Sequence, residues 1–230
     1  MKSKFVVLLA LLLLPSAGSA ALNKLTEDQV AKGWRLLFNG KDLSGWRTYQ
    51  KGGKIGDAWE VKDGILTKKA GVKGGDLMTV DSFLDFDLNW EWRISEKGNN
   101  GIKYFITEER GKAVGHEYQM LDDAAFPKLK AKSFTASFYD VLPAATEKKL
   151  FQPGAWNHSR IFVLGNTVEH WLNGQMVLQY ELGSEAVLKA VQDSKFKGIA
   201  DFGKKLRGHL LLTDHKDECQ FKNIRVREFK

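Results

Sequence analysis

Ile161-Phe162-Val163-Leu164-Gly165-Asn166-Thr167-Val168-Glu169-His170-Trp171-Leu172-Asn173-Gly174-Gln175-Met176-Val177 holds two tight-turn dipeptides, Gly165-Asn166 and Asn173-Gly174, between runs rich in β-branched and aromatic residues. Residues that accept left-handed backbone angles, set between such runs, signal β-hairpins. Asp63-Gly64, between Trp59-Glu60-Val61-Lys62 and Ile65-Leu66-Thr67, repeats the signal, so three antiparallel hairpins are predicted. Further strands are expected over Phe83 to Ile94, Gly101 to Thr107, His116 to Leu121, Ala136 to Val141, His209 to Thr213 and Phe221 to Glu228. Helix signals are confined to Thr26–Gly33, with an N-capping residue, an acidic first turn and a closing glycine, and to Ser184–Val191. An all-β sandwich of two antiparallel sheets follows. The segments 124–132 and 142–154, each with a proline and several lysines, read as loops that roof one edge.

The chain of 230 residues begins with Lys2 and Lys4, the apolar run Phe5 to Leu14, and the small residues Pro15-Ser16-Ala17-Gly18-Ser19-Ala20-Ala21. This three-part pattern predicts a signal peptide over residues 1–20, cleaved after Ala20 or Ala21. The apolar run falls well short of the roughly 20 residues needed to span a bilayer, so export to the periplasm or medium without a membrane anchor is expected. Residues 21–230 carry no linker-like segment and are read as one domain. The single cysteine, Cys219, leaves no intramolecular disulfide, and a core built from the seven Trp and fourteen Phe must hold the fold. The net charge of +7 is scattered among acidic residues, a pattern of solubility and not of nucleic-acid binding.

Gly115-His116-Glu117-Tyr118-Gln119-Met120-Leu121-Asp122-Asp123 places a carboxylate and an amide two residues apart in a strand. Alternate side chains share a face, so Glu117 and Gln119 project together, a row suited to hydroxyl-rich ligands. Asn99-Asn100-Gly101-Ile102-Lys103 adds a turn-like amide, Asn100, and a lysine able to stabilise negative charge. His215 follows Asp214 at the end of the apolar strand Leu210-Leu211-Leu212 and should emerge at a sheet rim, while His170 precedes the Asn173-Gly174 turn. His158 and His209 read as structural or exposed. Trp46, Trp59, Trp90 and Trp92 alternate with apolar residues and read as core, whereas Trp156 and Trp171, near loops, are candidates to stack on sugar rings. No zinc-type Cys/His spacing appears, and a looser divalent-metal site, Glu117 with His170 or His215, stays open.

Gly33-Trp34-Arg35-Leu36-Leu37-Phe38-Asn39-Gly40-Lys41-Asp42-Leu43-Ser44-Gly45-Trp46, Asn100-Gly101-Ile102-Lys103-Tyr104, Glu117-Tyr118-Gln119-Met120-Leu121-Asp122-Asp123, Pro153-Gly154-Ala155-Trp156-Asn157, His170-Trp171-Leu172-Asn173-Gly174 and Asp214-His215 together resemble the 3-keto-disaccharide hydrolase family over residues 33 to 229. The resemblance implies a curved jelly roll of the concanavalin type. It also implies cleavage of glycosides oxidised at C3, where the ketone acidifies the C2 hydrogen and the C1 substituent leaves by β-elimination before water adds back. The implied partners are a small oxidised carbohydrate and an upstream sugar C3-oxidoreductase. Family members commonly read Gln-Asp-His-Gly where this chain has Thr213-Asp214-His215-Lys216. Glucanases of similar fold carry E-x-D-x-x-E, against Glu117-x-Gln119-x-x-Asp122 here, and a retaining pair needs two carboxyls about 5 to 5.5 Å apart. A non-catalytic carbohydrate-binding module and a conventional glucanase remain as alternatives. The expected site is Glu117, Lys103, His170 and His215, with a histidine as base, Lys103 or a bound cation at the enolate and Glu117 as metal ligand or proton donor. Asn100, Gln119, Asp122, Trp156 and Trp171 are placed at the substrate.

Overall fold

The computed structural model describes residues 22–49 and 53–229, so the expected signal peptide lies outside the described residues. All three predicted hairpins form. β3 (Trp59–Lys62) and β4 (Ile65–Lys68) meet at Asp63-Gly64, while β9 (Asn157–Leu164), β10 (Thr167–Leu172) and β11 (Gln175–Glu181) fold back at Gly165-Asn166 and Asn173-Gly174. Asp63, Gly64, Gly165, Asn173 and Gly174 all take positive φ, the backbone state these turns require.

The hairpins enter an eight-stranded antiparallel sheet ordered β11-β10-β9-β6-β13-β4-β3, with β6 (Phe86–Ile94) and β13 (Cys219–Glu228) central and β1 (Trp34–Leu36) paired to β13. A five-stranded sheet ordered β2-β5-β12-β7-β8 packs against it, from β2 (Trp46–Thr48), β5 (Leu77–Phe83), β7 (Asn99–Ile106), β8 (His116–Leu121) and β12 (Gly208–Leu212). The fold is therefore the all-β jelly-roll sandwich expected. The two helices, α1 (Glu27–Ala31, N-capped by Thr26) and α2 (Glu185–Gln192, N-capped by Ser184), are short. Among the described residues no helix is long and apolar enough to cross a membrane.

The expected strand over Ala136 to Val141 does not form. Positive φ at Ala136 and Asp140 turns the chain, leaving isolated bridges at Phe138.

Period-two alternation sends Phe86, Leu88, Trp90 and Trp92 of β6 and Tyr104 and Tyr118 of the smaller sheet into one core, where Trp90 meets Tyr118 edge-on at 4.9 Å between ring centroids. Trp46 and Trp59 are buried as well, and Cys219 lies fully inside. Trp92 Nε1 and the Tyr118 hydroxyl both meet Ser159 Oγ at 2.8 Å, which satisfies these two polar tips, whereas the buried Trp90 Nε1 has no partner among the described residues. Positive φ at Phe105 turns that ring inward beside Tyr104, and Gly208 permits the close approach: a Cβ there would sit 2.6 Å from the Phe105 backbone. Since even-numbered Ile102, Tyr104, Tyr118 and Met120 point inward, Lys103, Glu117 and their neighbours occupy the outer face of the smaller sheet.

Candidate active site

Pairing of β7 with β8 sets Lys103 directly opposite Glu117 and Gly101 opposite Gln119. Lys103, Glu117 and Gln119, with Asn99, Thr213 and His215, floor a cleft of about 230 Å³, and Asp76, Tyr139 and Lys195 close its sides from loops. Gly101 makes the arrangement possible. A Cβ at that position would lie 2.3 Å from Glu117 Oε1, so the carboxylate lies over bare backbone.

Among the described residues the Glu117 carboxylate makes no hydrogen bond or ion pair. Its pKa is raised: desolvation on the cleft floor dominates, the charges of Lys103 and Lys195 oppose it, and Asp76 adds to it. The side chain keeps some solvent contact, so the desolvation comes from the walls around it and not from complete enclosure. Lys103 Nζ donates to the Ala113 carbonyl at 3.2 Å. Gln119 donates through Nε2 to the Ser133 carbonyl at 3.3 Å, while its buried Oε1 has no partner, an unpaired acceptor that a ligand hydroxyl can satisfy.

The rim is built on Asp214. Its Oδ2 accepts from the Gly74 and Gly75 amides at 2.9 and 2.8 Å, its Oδ1 lies 3.0 Å from the wholly buried Lys68 ammonium, and its own amide donates to Asp76 Oδ1 at 2.7 Å. Burial pushes the Asp214 pKa up, but the Gly74 amide, Lys68 and the Gly75 amide outweigh it and the net shift is downward. His215 Nδ1 lies 3.3 Å from Asp217, whose carboxylate also accepts the Asn99 amide at 3.1 Å. Thr213 accepts from the Gly101 amide at 3.0 Å and donates to Asn100 Oδ1 at 3.1 Å, tying β12 to β7 beneath the cleft.

The model of the 3-keto-alpha-glucoside-1,2-lyase-like domain matches residues 33–227. The chain belongs to that family. It is 31% identical over 246 residues to the 3-keto-disaccharide hydrolase of Bacteroides thetaiotaomicron, covering 92% of this chain and 84% of that protein. A Parabacteroides distasonis structure proposed to be a glycosyl hydrolase superposes with a TM-score of 0.82 at 32% identity, over 91% of this chain and 100% of its own. A second Parabacteroides distasonis structure, at 24% identity and a TM-score of 0.69, shares the fold over 85% of this chain and 99% of its own.

In this 3-keto-glucoside lyase-like chain, Glu117, Lys103, Gln119 and His215 share one cleft, but the other expected residues do not join them. His170 is buried between the sheets, its Nδ1 donating to the Ala136 carbonyl at 2.8 Å and its Nε2 accepting from the Tyr104 hydroxyl at 2.9 Å, which also bonds Tyr180. Burial lowers its pKa to about 4, so the ring is neutral. Its phase explains the placement, since Val168 and Leu172 on either side are buried with it. Asn100 points inward and bonds the Thr213 carbonyl, and its neighbour Asn99 lines the cleft instead. Asp122 lies past the end of β8, accepts from the Lys97 amide and faces a different pocket with Trp92 and Lys148. Segments 124–132 and 142–154 border that second pocket and its neighbour and do not roof the Glu117 cleft.

Trp156 and Trp171 lie on the outer face of the eight-stranded sheet, at the far side of the sandwich, against Arg93 and Lys222 and against Arg160 respectively. For a metal, the committed ring nitrogens of His170 prevent its pairing with Glu117, and among the described residues no group of three or more His, Cys, Asp or Glu is arranged to hold an ion. Asp76, Tyr139 and Lys195, by contrast, enter the cleft from loops that no periodicity signals.

Proposed function

We propose that this chain cleaves 3-keto-glycosides in the Glu117 cleft by elimination followed by hydration. One observation carries the reading: an unpartnered carboxylate with a raised pKa, flanked by two lysines, on the floor of a cleft in a chain of this family. A raised pKa makes the Glu117 carboxylate a stronger base than an ordinary one.

In the proposed reaction Glu117 takes the C2 proton, and the C–H electron pair becomes a C2=C3 bond as charge moves to the C3 oxygen. That enolate expels the C1 oxygen, forming a C1=C2 bond conjugated to the restored ketone. His215, whose Nδ1 lies 3.3 Å from Asp217, gives a proton to the departing oxygen. Water then adds its oxygen at C1 and a proton at C2, giving the 3-keto-sugar and the free aglycone. Gln119 Oε1 accepts a sugar hydroxyl. Asp122 is absent from the cleft, so the strand that supplies Glu117 contributes no second carboxylate of the glucanase spacing.

Incubation of purified protein with a 3-keto-disaccharide and with its unoxidised parent tests this. Release from the oxidised sugar alone is expected, with loss of a C2 deuterium label at the rate of cleavage. Cleavage of the parent would indicate a conventional glycosidase, and release from neither a binding module. The leader-like residues 1–20 further support export, so the mature protein from its host should begin at Ala21 or Leu22. Because the substrate is an oxidised sugar, a C3-oxidoreductase must act upstream.

A further inference from the structure

Two ammonium groups act on Glu117, and they are held differently. Lys103 Nζ is drawn to the Ala113 carbonyl. Lys195 Nζ has no hydrogen-bond or ion-pair partner among the described residues and lies 4.1 Å from the centroid of the Tyr139 ring. Tyr139 is itself in register with the carboxylate, because its amide donates to the Glu117 carbonyl at 3.0 Å. The backbone of Lys195 is pinned where it enters: its amide donates to Asp140 Oδ2 at 2.7 Å, Asp140 Oδ1 pairs with Lys132 at 3.1 Å, and Lys132 donates to the Asp193 carbonyl at 3.1 Å. The next residue, Phe196, is buried and stacks on Phe202 at 4.2 Å. A pinned backbone, an aromatic support and an exposed ammonium with unspent donors place a cation beside the proton-abstracting group.

We propose that Lys195, and not Lys103, stabilises the charge that develops on the C3 oxygen when the C2 proton leaves, with Tyr139 as its positioning residue. The assignment rests on the 3-keto-glycoside reading above. In the step concerned, the base takes the proton, the C–H pair becomes the C2=C3 bond, the carbonyl π pair moves to oxygen, and the ammonium donates to that oxygen without losing its proton. Lys103 then serves to oppose the desolvation of Glu117 from across the strand pair.

The test uses 1,5-anhydro-3-keto-glucitol, which has hydrogen in place of a leaving group at C1 and reports enolate formation alone, as C2 deuterium uptake in D2O followed by NMR. Lys195→Met should slow both this exchange and cleavage of a 3-keto-disaccharide by about 10²–10³-fold, chiefly in kcat, with the melting temperature unchanged. Lys195→Arg should recover at least about tenfold of that loss, and Lys103→Met should cost less than about tenfold. Tyr139→Leu, which keeps the ammonium but removes its support, should fall between these. Near-wild-type exchange in Lys195→Met, or a larger loss in Lys103→Met, overturns the assignment while leaving the cleavage reading intact. Wild-type protein that neither exchanges nor cleaves overturns the cleavage reading, and this assignment with it.

Discussion

Lys68 has no solvent exposure, and its ammonium lies 3.0 Å from the Asp214 carboxylate while donating to the Lys69 and Val72 carbonyls at 2.8 Å each. Removing one member of such a pair strands the other, at a cost of about 3–5 kcal/mol. Lys68→Met should therefore lower the unfolding free energy by that order, moving the urea midpoint down, and loosen the rim that carries Asp76 and His215, reducing turnover as well. An unchanged midpoint in urea would refute it. Because the folded-state pKa of Asp214 is lowered, its contribution is present above the ordinary value of 3.8 and is lost as pH falls through the depressed one.

Acid should weaken the fold at a higher pH than this through His170. Its pKa falls from 6.5 to about 4 on burial, so between those values the unfolded chain binds the proton that the folded ring refuses. Stability should decline as pH drops from 6.5 toward 4, by on the order of 3 kcal/mol from this group, and His116, depressed in the same direction, steepens the decline. Thermal melts across that range check it, and a flat profile would show that neither ring is buried neutral.

Gly101→Ala puts a methyl group where Glu117 Oε1 now lies. The expected result is a shifted carboxylate and turnover lower by about 10–10²-fold, since small misplacements of a reacting group cost rates of this size. Its φ is not among the positive values, so the backbone accepts alanine and the melting temperature should change little. Turnover equal to wild type would mean that the carboxylate position is immaterial.

Glu117→Gln should do two opposite things. A raised folded-state pKa means that ionising Glu117 opposes folding: its favourable contribution holds below 4.5 and is lost as pH rises through the folded value. The neutral isostere escapes that loss, so at neutral pH the variant should melt higher while losing about 10² or more in turnover. A variant that is both less stable and fully active contradicts both halves.

Much of the architecture was readable because two short-range rules sufficed. Positive-φ turn residues located the hairpins, and alternation located the core tryptophans. The same alternation contained the correct phase for His170, between Val168 and Leu172, and for Asn99 rather than Asn100, but nearness to a turn outweighed it in the reading. Trp156 and Trp171 fail for another reason: a strand residue can face outward on either sheet, and only the assembled sandwich says which. Tyr139, Lys195 and Asp76 were illegible in principle, since they arrive from irregular segments far along the chain, held by contacts such as Lys195 to Asp140 that carry no period.

Cys219 turns the molecule into its own gauge. The lone thiol is wholly enclosed and burial pushes its pKa well up, so a thiol-trapping reagent can reach it only when the sandwich opens. Trapping kinetics on unmodified protein thus count opening events directly, and every variant above can be ranked by how often its interior is glimpsed, without an optical probe or an introduced label.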